Sequence, residues 1–140
     1  MVRALCLAVC MGGAFAGPAN ADMVDTDQPF QLTPGQHVNW TGGRLRLAFD
    51  RVVQDSRCPR GEQCLVAGTA TVRFVVEGAE GVSRTLELRL PDRTLSVLAA
   101  AGPHLQLVRL DPYPVSGRPT PPERYQVTAV IRSTGVDAER

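Results

Sequence analysis

In four separate stretches of this 140-residue chain, apolar residues recur at every second position. In "RLRLAFD", Leu45, Leu47 and Phe49 point one way while Arg44, Arg46 and Asp50 point the other. "ATVRFVVE" aligns Ala70, Val72, Phe74 and Val76; "TLELRL" sets Leu86, Leu88 and Leu90 against Thr85, Glu87 and Arg89; "YQVTAVIR" aligns Tyr125, Val127, Ala129 and Ile131. A period of two suits only a strand with one face buried and one face wet, which is the pattern of antiparallel sheets. Turn chemistry separates the runs. "TGG" (Thr41 to Gly43) predicts a hairpin from "HVNW" to "RLRLAF", and "GAEG" (Gly78 to Gly81) predicts another. The phase breaks at Val52-Val53 and at Leu107-Val108, so each site predicts a bulge or a strand that changes sheets. "LDPYPVSGRPTPPE" holds five prolines and reads as a loop, because proline cannot donate to a ladder. "TLSVLAAA" (Thr94 to Ala101) suits either a helical turn or a short strand. About six to eight short strands predict an all-β fold: a single-domain antiparallel β-sandwich, with a small β-barrel as the alternative.

The N-terminus addresses the compartment. "MVRALCLAVCMGGAFAGPANA" carries one basic residue, Arg3, then an uncharged apolar run, and ends in Ala19-Asn20-Ala21. That layout predicts a secretory signal peptide over 1–21, with a second possible cut after Ala16. Cys6 and Cys10 read as apolar filler within it, and "LAVC" fits a lipidation box poorly because Val9 is branched. Residues 22–29 are polar and end in proline, which predicts a flexible leader; 30–133 form the β-sandwich domain and 134–140 a C-terminal tail. No second apolar stretch is long enough for a helical span, so stable membrane insertion of the mature chain is not expected. The expected location is therefore the periplasm or the exterior.

Charge narrows the partners. All 15 basic residues are arginine, and losing Arg3 leaves 14 against 14 acidic ones. Nucleic-acid binding is not expected, since it needs a clustered basic excess. The absence of lysine removes Schiff-base and lysine-base chemistry.

"DSRCPRGEQCLVAG" (Asp55 to Gly68) is the stretch that fits neither strand nor simple turn. A thioredoxin-type centre needs C-x-x-C at a helix start, whereas five residues separate Cys58 from Cys64 and no helix signal accompanies them. Zinc needs four N or S ligands, and beyond this pair only His37 and His104 remain, at no finger-like spacing. No metal or cofactor is expected. In an exported protein a structural disulfide is the simplest reading. Six residue steps could span about 20 Å, while bridged Cα atoms lie roughly 4.4–6.8 Å apart, so the chain must double back, with Pro59 and Gly61 placed to turn it.

The motif resembles an uncharacterised family of small exported bacterial proteins that read D-S-R-C-P, a few residues, C, an apolar-Trp-Ala-Gly step, and then a strand. The resemblance runs from "FQLTPGQ" (Phe30 to Gln36) through "LDPYP" (Leu110 to Pro114) to "RYQVTAVI" (Arg124 to Ile131). It implies a mainly β domain with a Cys58–Cys64 bridge and brings no activity with it. Val66 stands where the pattern has Trp, so no role of that aromatic transfers.

Around the cysteines, Asp55 is expected to cap the turn through its carboxylate, with Ser56 doing the same more weakly. Arg57 is expected to pair with Asp55 or with Asp50. The alternative is a binding loop that presents Arg57 and Arg60 to a partner, with Tyr113 of "DPYP" as a further contact residue. Trp40 reads as a core or edge residue. Ser56, Ser83, Ser96, Ser116 and Ser133 qualify as nucleophiles by type alone; none sits in a G-x-S-x-G elbow. No catalytic residue is assigned and an enzyme is not expected. The favoured function is a binding or structural module of the bacterial cell envelope, meeting an envelope or extracellular protein or ligand. A secreted protease inhibitor acting through Arg57–Gly61 comes second, and a hydrolase third.

Overall fold

The computed structural model describes residues 22–92, 95–99 and 102–133. The expected signal peptide, its two cysteines and the C-terminal tail lie outside these residues. The strands in chain order are β1 (Asp22–Val24), β2 (Pro29–Leu32), β3 (His37–Trp40), β4 (Leu45–Asp55), β5 (Ala70–Glu77), β6 (Ser83–Leu90), β7 (Ser96–Val97), β8 (His104–Asp111) and β9 (Gln126–Arg132). One sheet has the order β1-β3-β4-β5-β6 and the other β2-β9-β8-β7. Both are open, so the fold is the all-β sandwich and not the barrel. All pairings are antiparallel except that of β1 with β3.

The alternating residues make the core. Leu47, Phe49, Val72 and Phe74 from the first sheet meet Leu105, Leu107, Val127 and Ile131 from the second, all buried. Phe49 and Phe74 are register partners, their ring centroids 5.8 Å apart and tilted by 43°. An offset pair of this kind stabilises by about 0.5–1.5 kcal/mol beyond its area. The hairpins fall where the glycines predict, with Trp40 opposite Leu45 and Glu77 opposite Ser83. Trp40 packs half-buried against the core and donates its indole N–H to Thr26 Oγ1 at 3.1 Å.

Both phase breaks are bulges. The register slips between Val52 and Gln54 and between Leu107 and Arg109, leaving Val53 and Val108 as the extra residues, both exposed. A further slip between Phe49 and Arg51 has no apolar signal in the sequence. Ser96–Val97 takes the strand alternative, and Leu98 beyond it is buried; Thr94 and residues 100–101 of that run lie outside the described residues.

The segment 22–29, read from the sequence as a flexible leader, is bound into the fold. β1 lies beside β3, Val24 packs into the core at 7% exposure, and the Asp27 N–H donates to Ile131 O at 2.8 Å. The adjacent apolar pair Met23-Val24 carries no periodicity, and a parallel edge strand needs no hairpin signal, so local reading misses it.

Strand length positions the loop. β4 runs 11 residues against four in β3, carrying the chain past the sheet to Asp55. β8 ends at Asp111 at that same end of the sandwich, where Asp111 faces Gln126 at the start of β9. Asp55, the proline-rich segment after Asp111 and Tyr125 therefore converge.

Candidate functional site

The stapled loop grows out of the β4–β5 ladder. The Ser56 N–H donates to Thr69 O at 2.7 Å, its hydroxyl accepts from the Thr69 N–H at 3.1 Å, and the Cys58 N–H donates to Ala67 O at 3.0 Å. Ser56 thus ties the two legs of the loop together instead of capping a turn. The Glu62 N–H donates to Pro59 O at 3.2 Å, and Gly61 adopts φ 93°, so the reversal occurs where the sequence places it. Cys58 and Cys64 are bridged, with Cα atoms 5.9 Å apart. Gly68 closes the loop at φ 71°, and a Cβ there would lie 1.7 Å from Ser56 O. Only glycine fits, which gives the "AG" step of the motif a steric reason.

Beneath the loop lies a buried polar lock. Arg57 donates Nε to Asp55 Oδ1 at 2.8 Å and Nη2 to Asp55 Oδ2 at 2.7 Å, and its own N–H reaches Oδ1 at 3.3 Å. Nη1 donates to Leu110 O at 2.8 Å, Nη2 to Pro112 O at 3.2 Å, and the Tyr125 hydroxyl donates to Asp55 Oδ2 at 3.1 Å. The two charged side chains are only 9% and 7% exposed. Burial acts to raise the Asp55 carboxyl, but the hydrogen bonds and charge of Arg57 outweigh it and hold the group below its ordinary 3.8. Burial likewise acts to lower Arg57 and is outweighed by Asp55. Burial, then the Asp55 charge, pushes Tyr125 above 10.0, so it stays a donor. A bidentate fork with both carboxylate oxygens occupied is the strong form of this contact.

This arrangement decides two expectations. The partner of Arg57 is Asp55; Asp50 instead lies 3.8 Å from Arg51. Arg57 is not offered to a partner, because its guanidinium is spent on the carboxylate and on two carbonyls where β8 turns out of the sheet. Asp55 caps the turn as expected, through the Arg57 N–H.

The loop is also pinned sideways. The Arg60 N–H donates to Pro114 O at 3.0 Å, the Ser116 N–H donates to Arg60 O at 3.1 Å, and the Ser116 hydroxyl donates to Glu62 Oε1 at 2.6 Å. The Tyr113 ring packs against both guanidinium groups, its centroid 4.9 Å from Arg57 and 5.4 Å from Arg60. Tyr113 remains partly exposed, as expected, but as the wall between two arginines.

Two apolar residues that sequence reasoning gave no role are exposed on the loop. Leu65 is 106% exposed and Val66 78% exposed, directly after Cys64. An adjacent apolar pair outside any alternating run was the available signal. Of the other candidates, His37 contacts Arg46, its Nδ1 3.1 Å from Nη2, in β3. His104 begins β8, seven residue steps or about 23 Å from Asp111. Neither histidine is brought to the Ser116–Glu62 pair.

No protein-family model, characterised protein or solved structure matches this chain.

Proposed function

We propose that this protein is an exported binding module of the bacterial cell envelope that acts through the tip of its stapled loop. The observation that carries this reading is the contrast between the firmly held loop and its exposed apolar pair. A buried ion pair, a disulfide and main-chain bonds between Arg60 and Pro114 and Ser116 hold the loop, while Leu65 and Val66, directly after the bridge, stand in water. Each such side chain would contribute about 1.5–3 kcal/mol if a partner buried it fully. A loop already ordered before contact loses little entropy on binding. The disulfide accords with an oxidising compartment, and with the uncharged apolar run after Arg3 it supports export to the periplasm or beyond. The resemblance to the exported D-S-R-C-P family belongs to the same reading. The protein works without catalysis in this proposal.

An inhibitor acting through Arg57–Gly61 retains one supporting feature, the exposed Arg60 in a disulfide-closed loop; Arg57 is committed elsewhere. Capture from envelope extracts separates these readings. The wild-type protein should retain a protein that Leu65→Ser/Val66→Ser does not, with both melting alike. Equal capture by the two forms, or loss only with Arg60→Ala, would reject the apolar tip as the contact.

A further inference from the structure

A second surface lies beside the loop, on the flank of β4 that β3 does not cover. β3 registers only with Leu45–Ala48, and Phe49 then exchanges main-chain bonds with Gly35 and Gln36 at 2.8 and 3.0 Å. From Arg51 to Asp55 the other flank keeps pairing with β5. Among the described residues, no main chain bonds the β3-side flank over this stretch. The segment facing it, 112–122, contains five prolines in eleven residues. Proline has no N–H, the remaining residues of this segment make no main-chain bond to β4, and a groove of about 530 Å³ remains between them. Val52 and Val53 of β4 line it together with Pro114, Val115 and Pro119 of the proline-rich segment.

We propose that this groove takes an extended segment of a partner protein, added as a short strand against Arg51–Asp55 and carrying an acidic side chain to Arg118. The inference rests on the binding-module reading and adds the mode of recognition. Strand addition supplies main-chain bonds to an open flank, while alternate side chains enter the apolar walls. Charge selects the acid. Asp55 is paired with Arg57, and Glu62 keeps its charge while accepting from the Ser116 hydroxyl, so the acid is directed to Arg118 alone. Arg118, on the rim, has no side-chain hydrogen bond or ion pair among the described residues. The free flank spans four residue steps, about 13 Å, so the added strand is short.

The test uses acetylated six-residue peptides of alternating valine and glutamate, titrated into the folded, disulfide-intact protein. Hydrogen exchange and calorimetry provide the readouts. The parent peptide should bind and slow, at least tenfold, exchange of those Val52–Asp55 amides that do not donate to β5. A version N-methylated at alternate amides should bind at least tenfold more weakly. Replacing glutamate by glutamine, or Arg118→Ala in the protein, should weaken binding by up to about fivefold, the range of an exposed ion pair. Absence of binding, equal affinity for the N-methylated peptide, or protection at the β6 edge instead would overturn the proposal. So would a self-associated protein whose open-flank amides in this stretch are protected without peptide, since the occupant would then be a second copy. If the peptides fail while capture still depends on Leu65 and Val66, the groove is wrong and the binding-module reading stands.

Discussion

Removing the Arg57 side chain is the sharpest probe of how this end of the sandwich is held. Arg57→Ala deletes two bonds to Asp55 and the bonds to Leu110 O and Pro112 O, and leaves a carboxylate 7% exposed with Tyr125 and the residue-57 N–H as donors. Breaking a buried pair from one side costs about 3–5 kcal/mol. That is a large share of the roughly 5–15 kcal/mol available to a domain, and at about 4 °C per kcal/mol it lowers Tm by roughly 12–20 °C. The pH dependence gives the sign. Asp55 titrates below its ordinary value in the folded protein. Its contribution is therefore present above the unfolded value of about 3.9 and is lost as pH falls through the lower folded value. In Arg57→Ala burial loses its main opponent, so the carboxyl moves up and the variant is relieved by protonation. Urea unfolding should show about 3–5 kcal/mol between the two proteins at pH 7 and a clearly smaller gap near pH 3. Arg57→Lys, which keeps the charge without the fork, should fall between them. A difference under about 1 kcal/mol at pH 7, the value of an exposed pair, or a gap unchanged at pH 3, would refute the buried-lock account.

Other parts of the loop are separable. Replacing Cys58 and Cys64 by alanine should lower stability by about 2–2.5 kcal/mol, the chain-entropy value for so small a ring, read by urea denaturation. Intact mass before and after reduction should differ by two hydrogens, and free thiols in protein purified from the periplasm would contradict the bridge. Gly68→Ala should destabilise by about 3 kcal/mol or more because its Cβ meets the Ser56 carbonyl, against about 1 kcal/mol for Gly81→Ala, which has the same φ of 71° but open space. Similar losses at both glycines would show that backbone conformation alone matters. Leu65→Ser/Val66→Ser, apart from its effect on capture, should change stability by no more than about 0.5 kcal/mol, since both side chains already stand in water.

The alternating runs and turn residues sufficed for the class of fold, the buried face of β4, β5, β6 and β9, both hairpins and two of the bulges. Their signal is local: burial on one side of a pleat imposes period two, and an extra residue shifts the phase. The turn at Pro59–Gly61 and the pairing of Cys58 with Cys64 were legible for the same reason, because a short ring leaves the chain few paths. The choice between sandwich and barrel was not local, and neither was the parallel pairing that secures Val24.

The candidate site divides along the same line. By itself the sequence determined that Asp55, Ser56, Arg57, Arg60 and the cysteines share one small loop. Only the tertiary structure decided what each of them faces. Arg57 reads locally as a partner for Asp55 or Asp50, with presentation to a partner as the alternative. It becomes a buried tie because Leu110 and Pro112, more than fifty residues away, turn their carbonyls toward it, and because Tyr125, just ahead of β9, joins Asp55. Leu65 and Val66 are apolar residues for which spacing gives no environment, and the folded loop leaves both of them in water. Spacing along a chain specifies local geometry, whereas the worth of a charge or an apolar side chain depends on the solvent and partners that distant segments leave around it.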